Sequence, residues 1–390
     1  NVTAVATTTG TAIGGGIGFS DMGGEGYVEI NGGNIYAYNF AHSSQIPSAA
    51  IGGSGSNASI GNIGNVTITG GNVYAQTALG TAIGGGSSKT REGGEADVKI
   101  SGGHVVARSI ASGSVSAGAG IGGGTGCSGG VQNDASINVD GGRAIINISG
   151  NAVVETGSIG GGRSGHVARG KLGTAFITVD GGYTMAQFVM AAGADDPPTF
   201  KMTGGLIRSS NTADDADEYY NIVKNGGAVY MEDGSFEMSG GTIMDCSAEK
   251  GGAVYISKGA KAKKDPEFKM SGGTIENCSA TGDDDVDGDG GAVYLENGSV
   301  TISGTAAILH NRSDSYGGAV CVRKTATSVP SFTMSGGSLS RNTSVSGGGA
   351  VYIEGGNVTV SGGTVSGNIV EEGNGGAICI NSGSFLMSEG

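Results

Sequence analysis

Short runs of alternating apolar and polar residues flank a recurring Gly-Gly pair through the first half of the chain. Tyr27–Ala37 reads YVEINGGNIYA, Asn65–Ala75 reads NVTITGGNVYA and Asp97–Ala107 reads DVKISGGHVVA, with further versions at Ser136–Ile146 and Phe176–Ala186. A two-residue period is that of a half-buried strand. The Gly pair between two such runs predicts a corner, where the backbone needs positive φ or a close approach. A second phrase, a small residue followed by IGGG (IGGS at Ile51–Ser54), recurs between them. Its isoleucines at 13, 51, 83, 121 and 159 stand 38, 32, 38 and 38 residues apart.

The second half uses other words with the same grammar. GGAVY or a close variant starts at Gly226, Gly251, Gly290, Gly317, Gly348 and Gly375. SFEMSGG at Ser235–Gly241 returns as EFKMSGG at Glu267–Gly273 and SFTMSGG at Ser331–Gly337, each followed at once by a third apolar run such as TIMDC at Thr242–Cys246. Val229/Met231, Val254/Ile256, Val293/Leu295 and Val320/Val322 are aliphatic every time, as are Phe236/Met238, Phe268/Met270, Val300/Ile302 and Phe332/Met334. These are the expected inward positions. The Tyr of GGAVY is expected to face outward or into a groove and to stack on its equivalent in the next unit.

Repetition at this period means stacked units that share their cores with neighbours, because no single unit can bury its own apolar face. The expected fold is an all-β parallel β-helix (β-solenoid) of about eleven coils, each a triangle of three strands, two corners and one longer loop. The expected divisions are residues 1–190 with IGGG coils, a junction with an acidic loop over 191–225, and residues 226–390 with GGAVY coils, in one continuous stack. Asn1–Ile13 echoes Asn72–Ile83, and Ser384–Gly390 breaks off inside the phrase of Ser235–Gly241. A segment of a longer protein, truncated at both ends, is expected.

Composition removes the competing classes. Gly supplies 82 of 390 residues, yet there is no three-residue Gly period, and apolar residues fall at regular places between the glycines, so neither collagen nor disorder fits. A formal net charge of −14 argues against nucleic acid as a partner. No run of 18 apolar residues offers a membrane span.

The repeats resemble the GGAI/FxxN family, known from chlamydial polymorphic outer-membrane proteins and many adhesin-like proteins, over residues from about 200 to 390. GGA[VI] occurs six times. FxxN is matched as aliphatic-x-x-Asn at Ile308–Asn311, Leu339–Asn342 and Val365–Asn368, whereas Ile243–Cys246 and Ile275–Cys278 end in Cys. The resemblance implies a right-handed helix, secretion, display on a bacterial cell surface and adhesion, with no catalytic residues. The expected function is therefore a structural or adhesive segment of a surface protein. Its partners would be a glycan or protein on a host or neighbouring cell, or further copies of itself. A self-assembling extracellular filament is one alternative, supported by the uncapped ends. A polysaccharide-acting enzyme or phage tail-spike is another.

Candidate chemistry is sparse. Asp283, Asp285 and Asp287, followed by Gly288 and Asp289, have the oxygen spacing at the front of a calcium loop, but Tyr294 stands where the closing Glu belongs. These four aspartates are the metal candidates, set against a plain solvated acidic insertion; no other cofactor is expected. Cys246 and Cys278 hold equivalent positions in adjacent coils, about 5 Å apart, which admits either a disulfide or two buried thiols. Cys321 and Cys379 fall two rungs apart, too far to bond. Asp195, Asp196, Lys201 and Arg208 are the residues a polysaccharide-cleaving site would draw on, but they lie beside Pro197 and Pro198, and a linker explains them better. His42, His104, His166 and His310 lack metal-ligand spacing. Stacked IGGG phrases predict either simple corners or a flat strip, free of side chains, that another backbone or a sugar ring can approach.

Overall fold

The computed structural model describes all residues except 8–9, 17–23, 41–47, 58, 89, 111–117, 127–139, 163–171, 192–195, 210–223, 283–286, 327 and 389–390. The chain divides into two compact units, residues 1–200 with 210–219, and residues 201–209 with 220–390. Each is a parallel β-helix, and no helix occurs among the described residues.

In the first unit each coil carries three strand runs. Gly26–Ile30, Gly64–Ile68, Ala96–Ile100, Ala144–Ile148 and the start of Ala175–Met190 stack in parallel. Their inward residues form one column, Val28, Val66, Val98, Ile146 and Ile177, and the last four are essentially inaccessible. Asn34–Asn39, Asn72–Thr77, His104–Ser109 and Val153–Gly160 stack likewise and bury Ala37, Ala75 and Ala107. The IGGG isoleucines pair directly, Ile13 with Ile51, Ile83, Ile121 and Ile159 in turn. The Gly-Gly corners are confirmed: Gly33, Gly71 and Gly103 have φ of +86°, +91° and +84°, a conformation in which Cβ would be strained.

The second unit repeats the plan with shorter strands. Val229, Val254, Val293, Val320 and Val351 make one buried column, and Phe236, Phe268, Val300, Phe332 and Val358 another. The rings of Phe236 and Phe268 stack with centroids 4.6 Å apart and planes 7° from parallel. In-register stacking turns each inward position into a continuous apolar rod, so stability lies in the interfaces between coils.

Two features depart from the sequence reading. The second unit's coils have a fourth run, Ser247–Ala248, Ser279–Ala280, Arg312–Ser313, Thr343–Ser344 and Ile369–Val370, forming a separate five-stranded parallel sheet. Four of the five pairs are small or polar and only Ile369–Val370 is aliphatic; two residues carry no alternation, so the triangle becomes four-sided without a signal. The second departure lies within the expected junction, where Thr199–Arg208 is a strand that buries Phe200, Met202 and Ile207.

Candidate functional site

The IGGG glycines are not an open strip. Gly53, Gly85, Gly86, Gly123 and Gly124 are buried. They face a second glycine-rich segment that leads into the next strand, and the two are hydrogen-bonded to each other. Within a coil the N–H of Gly94 donates to Gly86 O at 2.7 Å, Gly142 to Gly124 O at 2.9 Å and Gly173 to Gly162 O at 2.7 Å. Between coils Gly86 donates to Asn62 O, Gly124 to Gly94 O and Gly162 to Gly142 O, at 2.8–2.9 Å. A Cβ on Gly85 would lie 2.1 Å from Gly94 O, and one on Gly123 would lie 1.9 Å from Gly142 O. The glycines thus clamp the base of each loop, and backbone fills the space where side chains would sit. The expectation of an approachable strip for assembly is corrected: a side chain there strikes the fold before any partner.

The tyrosine column forms as expected but lies deeper. Tyr230, Tyr255 and Tyr294 stack at 5.5 Å with planes 6° and 3° from parallel. Tyr294 is only 2% exposed. The column continues through Cys321, Tyr352 and Cys379, one per rung. Where Cys321 leaves a gap in the ring stack, Tyr316 supplies the missing ring and stacks on Tyr352 at 4.2 Å. Burial pushes the Cys321 thiol and the Tyr294 hydroxyl well above their ordinary ranges.

Beside this column lies an ion pair between a buried carboxylate and a half-buried arginine. Arg323 Nη1 is 3.1 Å from Asp289 Oδ2, and Arg323 Nε is 2.8 Å from Glu354 Oε2. The Tyr316 N–H donates to Asp289 Oδ1 at 3.2 Å. Asp289 is fully buried, and burial pushes its carboxyl up to about 6, with the Arg323 charge opposing. Of the four calcium candidates, Asp283 and Asp285 lie outside the described residues, Asp287 is exposed, and Asp289 is engaged by Arg323.

The other singled-out residues are dispersed. Cys246 and Cys278 are free and buried, each thiol donating to a carbonyl of its own chain segment at 3.3 Å. Cys127, His42, His166 and Asp195 lie outside the described residues. The Asp196 carbonyl accepts from Thr174, Lys201 lies 3.9 Å from Glu237, and Arg208 pairs with Asp245. His104 and His310 are exposed, and His104 is 2.7 Å from Glu155. Among the described residues no three carboxylate, thiol or imidazole groups converge as a metal site. No helix among them is long and apolar enough to cross a membrane.

An aromatic feature with exposed rings lies on the first unit. Along Asn34–Asn39 and its next residue, Tyr36, Tyr38 and Phe40 take the outward positions while Ala37 and Asn39 point in. Tyr74 sits beside Tyr36 on the neighbouring rung. Tyr38 lies 5.6 Å from Tyr74 and 5.7 Å from Phe40, and Tyr36 and Phe40 are each 40% exposed. Amides border the rings. Asn72 Nδ2 donates to Asn34 Oδ1, Asn34 Nδ2 to Asn1 Oδ1, both at 2.8 Å, and the Tyr74 hydroxyl donates to Gln76 at 2.7 Å. The alternation in NIYAYNF places these rings outward by the same two-residue period that buries Ala37 and Asn39. Rings and amides on one flat, hydrogen-bonded ladder present apolar area and polar groups together, the composition of a contact surface.

No family model, curated protein or solved structure matches this chain.

Proposed function

We infer that this chain is a structural and adhesive segment of a secreted bacterial surface protein, acting by contact along the rigid faces of its coils. The observation that carries this reading is the outward face of exposed Tyr36 and Phe40 and half-buried Tyr38 and Tyr74, with its bordering amides. Four rings on one monomer's surface form the kind of exposed patch that marks interaction, and the ladder beneath holds them at fixed spacing with little ordering cost on binding. The resemblance to the GGAI/FxxN repeats supports surface display. A cell-surface glycan or protein is the partner such a face accommodates.

The test is retention of the purified chain on immobilised polysaccharides and on intact cells, compared with a Tyr36→Ser/Tyr38→Ser/Tyr74→Ser variant. Retention by the parent and loss in the variant, with the polysaccharide recovered at full length, is the expected result. Equal retention of both chains removes the reading. Shortened polysaccharide replaces it with the enzymatic alternative.

A further inference from the structure

The second unit holds a cleft that arises from unequal corner lengths. Between the first and second strands of each coil the chain crosses one edge of the helix. Three residues make this crossing at Glu232–Gly234 and at Glu296–Gly298. Ten residues make it at Ser257–Pro266, and seven at Lys324–Pro330. The two long crossings belong to the coils directly below and above the short Glu296–Gly298 crossing. They stand two rungs apart, roughly 10 Å centre to centre, and a notch opens between them. Its volume is about 760 Å³, within the range of about 300–1,000 Å³ typical of small-molecule sites.

The walls are held in place. The N–H of Gly259 donates to Glu232 O at 3.0 Å, and the N–H of Ala262 to Gly259 O at 2.9 Å. On the other side Thr325 and Ser328 form an antiparallel bridge, and Ser328 Oγ donates to Glu296 O at 3.1 Å. The floor is Asn297–Ser299, where a Cβ on Gly298 would meet Pro266 O at 2.0 Å. The notch is therefore pre-formed and needs no closure to exist.

We propose that this notch, lined by Lys258, Asp265, Asn297, Ser299 and Ser331 with Val329 at its lip, is a binding site for a neutral saccharide of one or two rings. Hydroxyl, amide, ammonium and carboxylate groups together supply the mixed donors and acceptors that a polyol requires. Lys258 Nζ already pairs with Asp265 Oδ1 at 2.8 Å, so the site makes no demand for a charged ligand. A peptide fits less well. The N–H groups of Ser299 and Ser331 are spent on Pro266 O and Gly298 O, so no strand edge is open for a peptide to extend. The apolar lining is two small residues, Ala260 and Ala262, and the lip residue Val329, 65% exposed, which together make no deep socket. This site is separate from the aromatic face, and either can fail alone.

The experiment is saturation-transfer NMR on the whole chain with maltose, lactose and chitobiose, and in parallel with a pool of tripeptides. Two variants accompany it. One replaces Ser257–Pro266 by the three-residue sequence Glu-Asn-Gly that the neighbouring coil already uses. The other, Ser299→Phe, fills the floor from a partly exposed position. Transfer to at least one disaccharide is expected, with a tenfold or greater loss of affinity in each variant that keeps the parent melting temperature within a few degrees. Absence of transfer to all three sugars overturns the proposal, as does transfer to the peptides alone. An unchanged signal in the folded variants overturns it too. A signal lost in Tyr36→Ser/Tyr74→Ser but kept in the cleft variants moves the sugar to the aromatic face.

Discussion

Asn311 Nδ2 donates to the side-chain oxygen of Asn342 at 3.0 Å, one rung away inside the second unit. The same Asn342 oxygen accepts the backbone N–H of Asn311, also at 3.0 Å, while Asn342 Nδ2 donates to Ile308 O and to Asn368 Oδ1. Both asparagines are buried. The residue before each ladder position is left-handed, with φ of 53° to 57° at Asp245, Asn277, His310 and Arg341. That turn leaves backbone groups unpaired in the interior, and the stacked amides satisfy them. Asn342→Ala strands the Asn311 N–H and the Ile308 carbonyl together. A loss of about 2–4 kcal/mol is expected in urea unfolding, from two buried polar groups left without partners.

Much of this architecture was legible. The columns of Val229, Val254 and Val293 and of Phe236 and Phe268 follow from alternation alone, because one face is buried and a one-residue slip would invert it. The aliphatic-x-x-Asn motif was visible as a pattern, but its ladder was not, since Asn311 and Asn342 become neighbours only once the register is known. Glycine hides its own burial: with no side chain, Gly85 gives no clue to which way it faces. The pairing of Asp289 with Arg323 joins adjacent coils through a lengthened acidic insertion, and spacing within one coil pointed to calcium instead. The cleft was encoded in corner lengths of three, ten and seven residues, which mean nothing until the rungs are aligned.

The thiols offer a direct check of register. Cys246, Cys278 and Cys321 are buried, whereas Cys379 is partly exposed. Burial, the largest cause, pushes the Cys246 thiol well up, and the neighbouring Cys278 adds to it. In a Cys127→Ser chain, Ellman's reagent is expected to find Cys379 quickly under native conditions and all four thiols in denaturant. Two thiols in denaturant, rising to four after reduction, would instead mean a Cys246–Cys278 disulfide.

The glycine clamp predicts a contrast between two alanine substitutions. Gly85→Ala places a methyl 2.1 Å from Gly94 O, a contact with backbone on a segment already hydrogen-bonded to Gly86. Gly32→Ala meets nothing within 4 Å. The first is expected to cost about 3 kcal/mol or more through forced backbone displacement. The second stays within about 0.5 kcal/mol, as surface changes do. Equal thermal midpoints for the two variants would dismiss the clamp.

Asp289 gives the second unit a pH dependence of unusual sign. Its folded carboxyl lies at about 6 against an ordinary 3.8, because burial outweighs the Arg323 charge. The folded chain therefore binds this proton more tightly than the unfolded chain does. The stabilisation is full below pH 4 and disappears as pH rises through 6, a swing on the order of 3 kcal/mol. Asp289→Asn keeps an oxygen for the Tyr316 N–H and removes the titration. Its urea midpoint relative to the parent is expected to rise between pH 4.5 and 7.5. Other carboxylates titrate in both chains and cancel in the difference. A constant difference across that window would show that Arg323 and Glu354 hold the Asp289 charge at no net cost, and the pair would then be pH-silent.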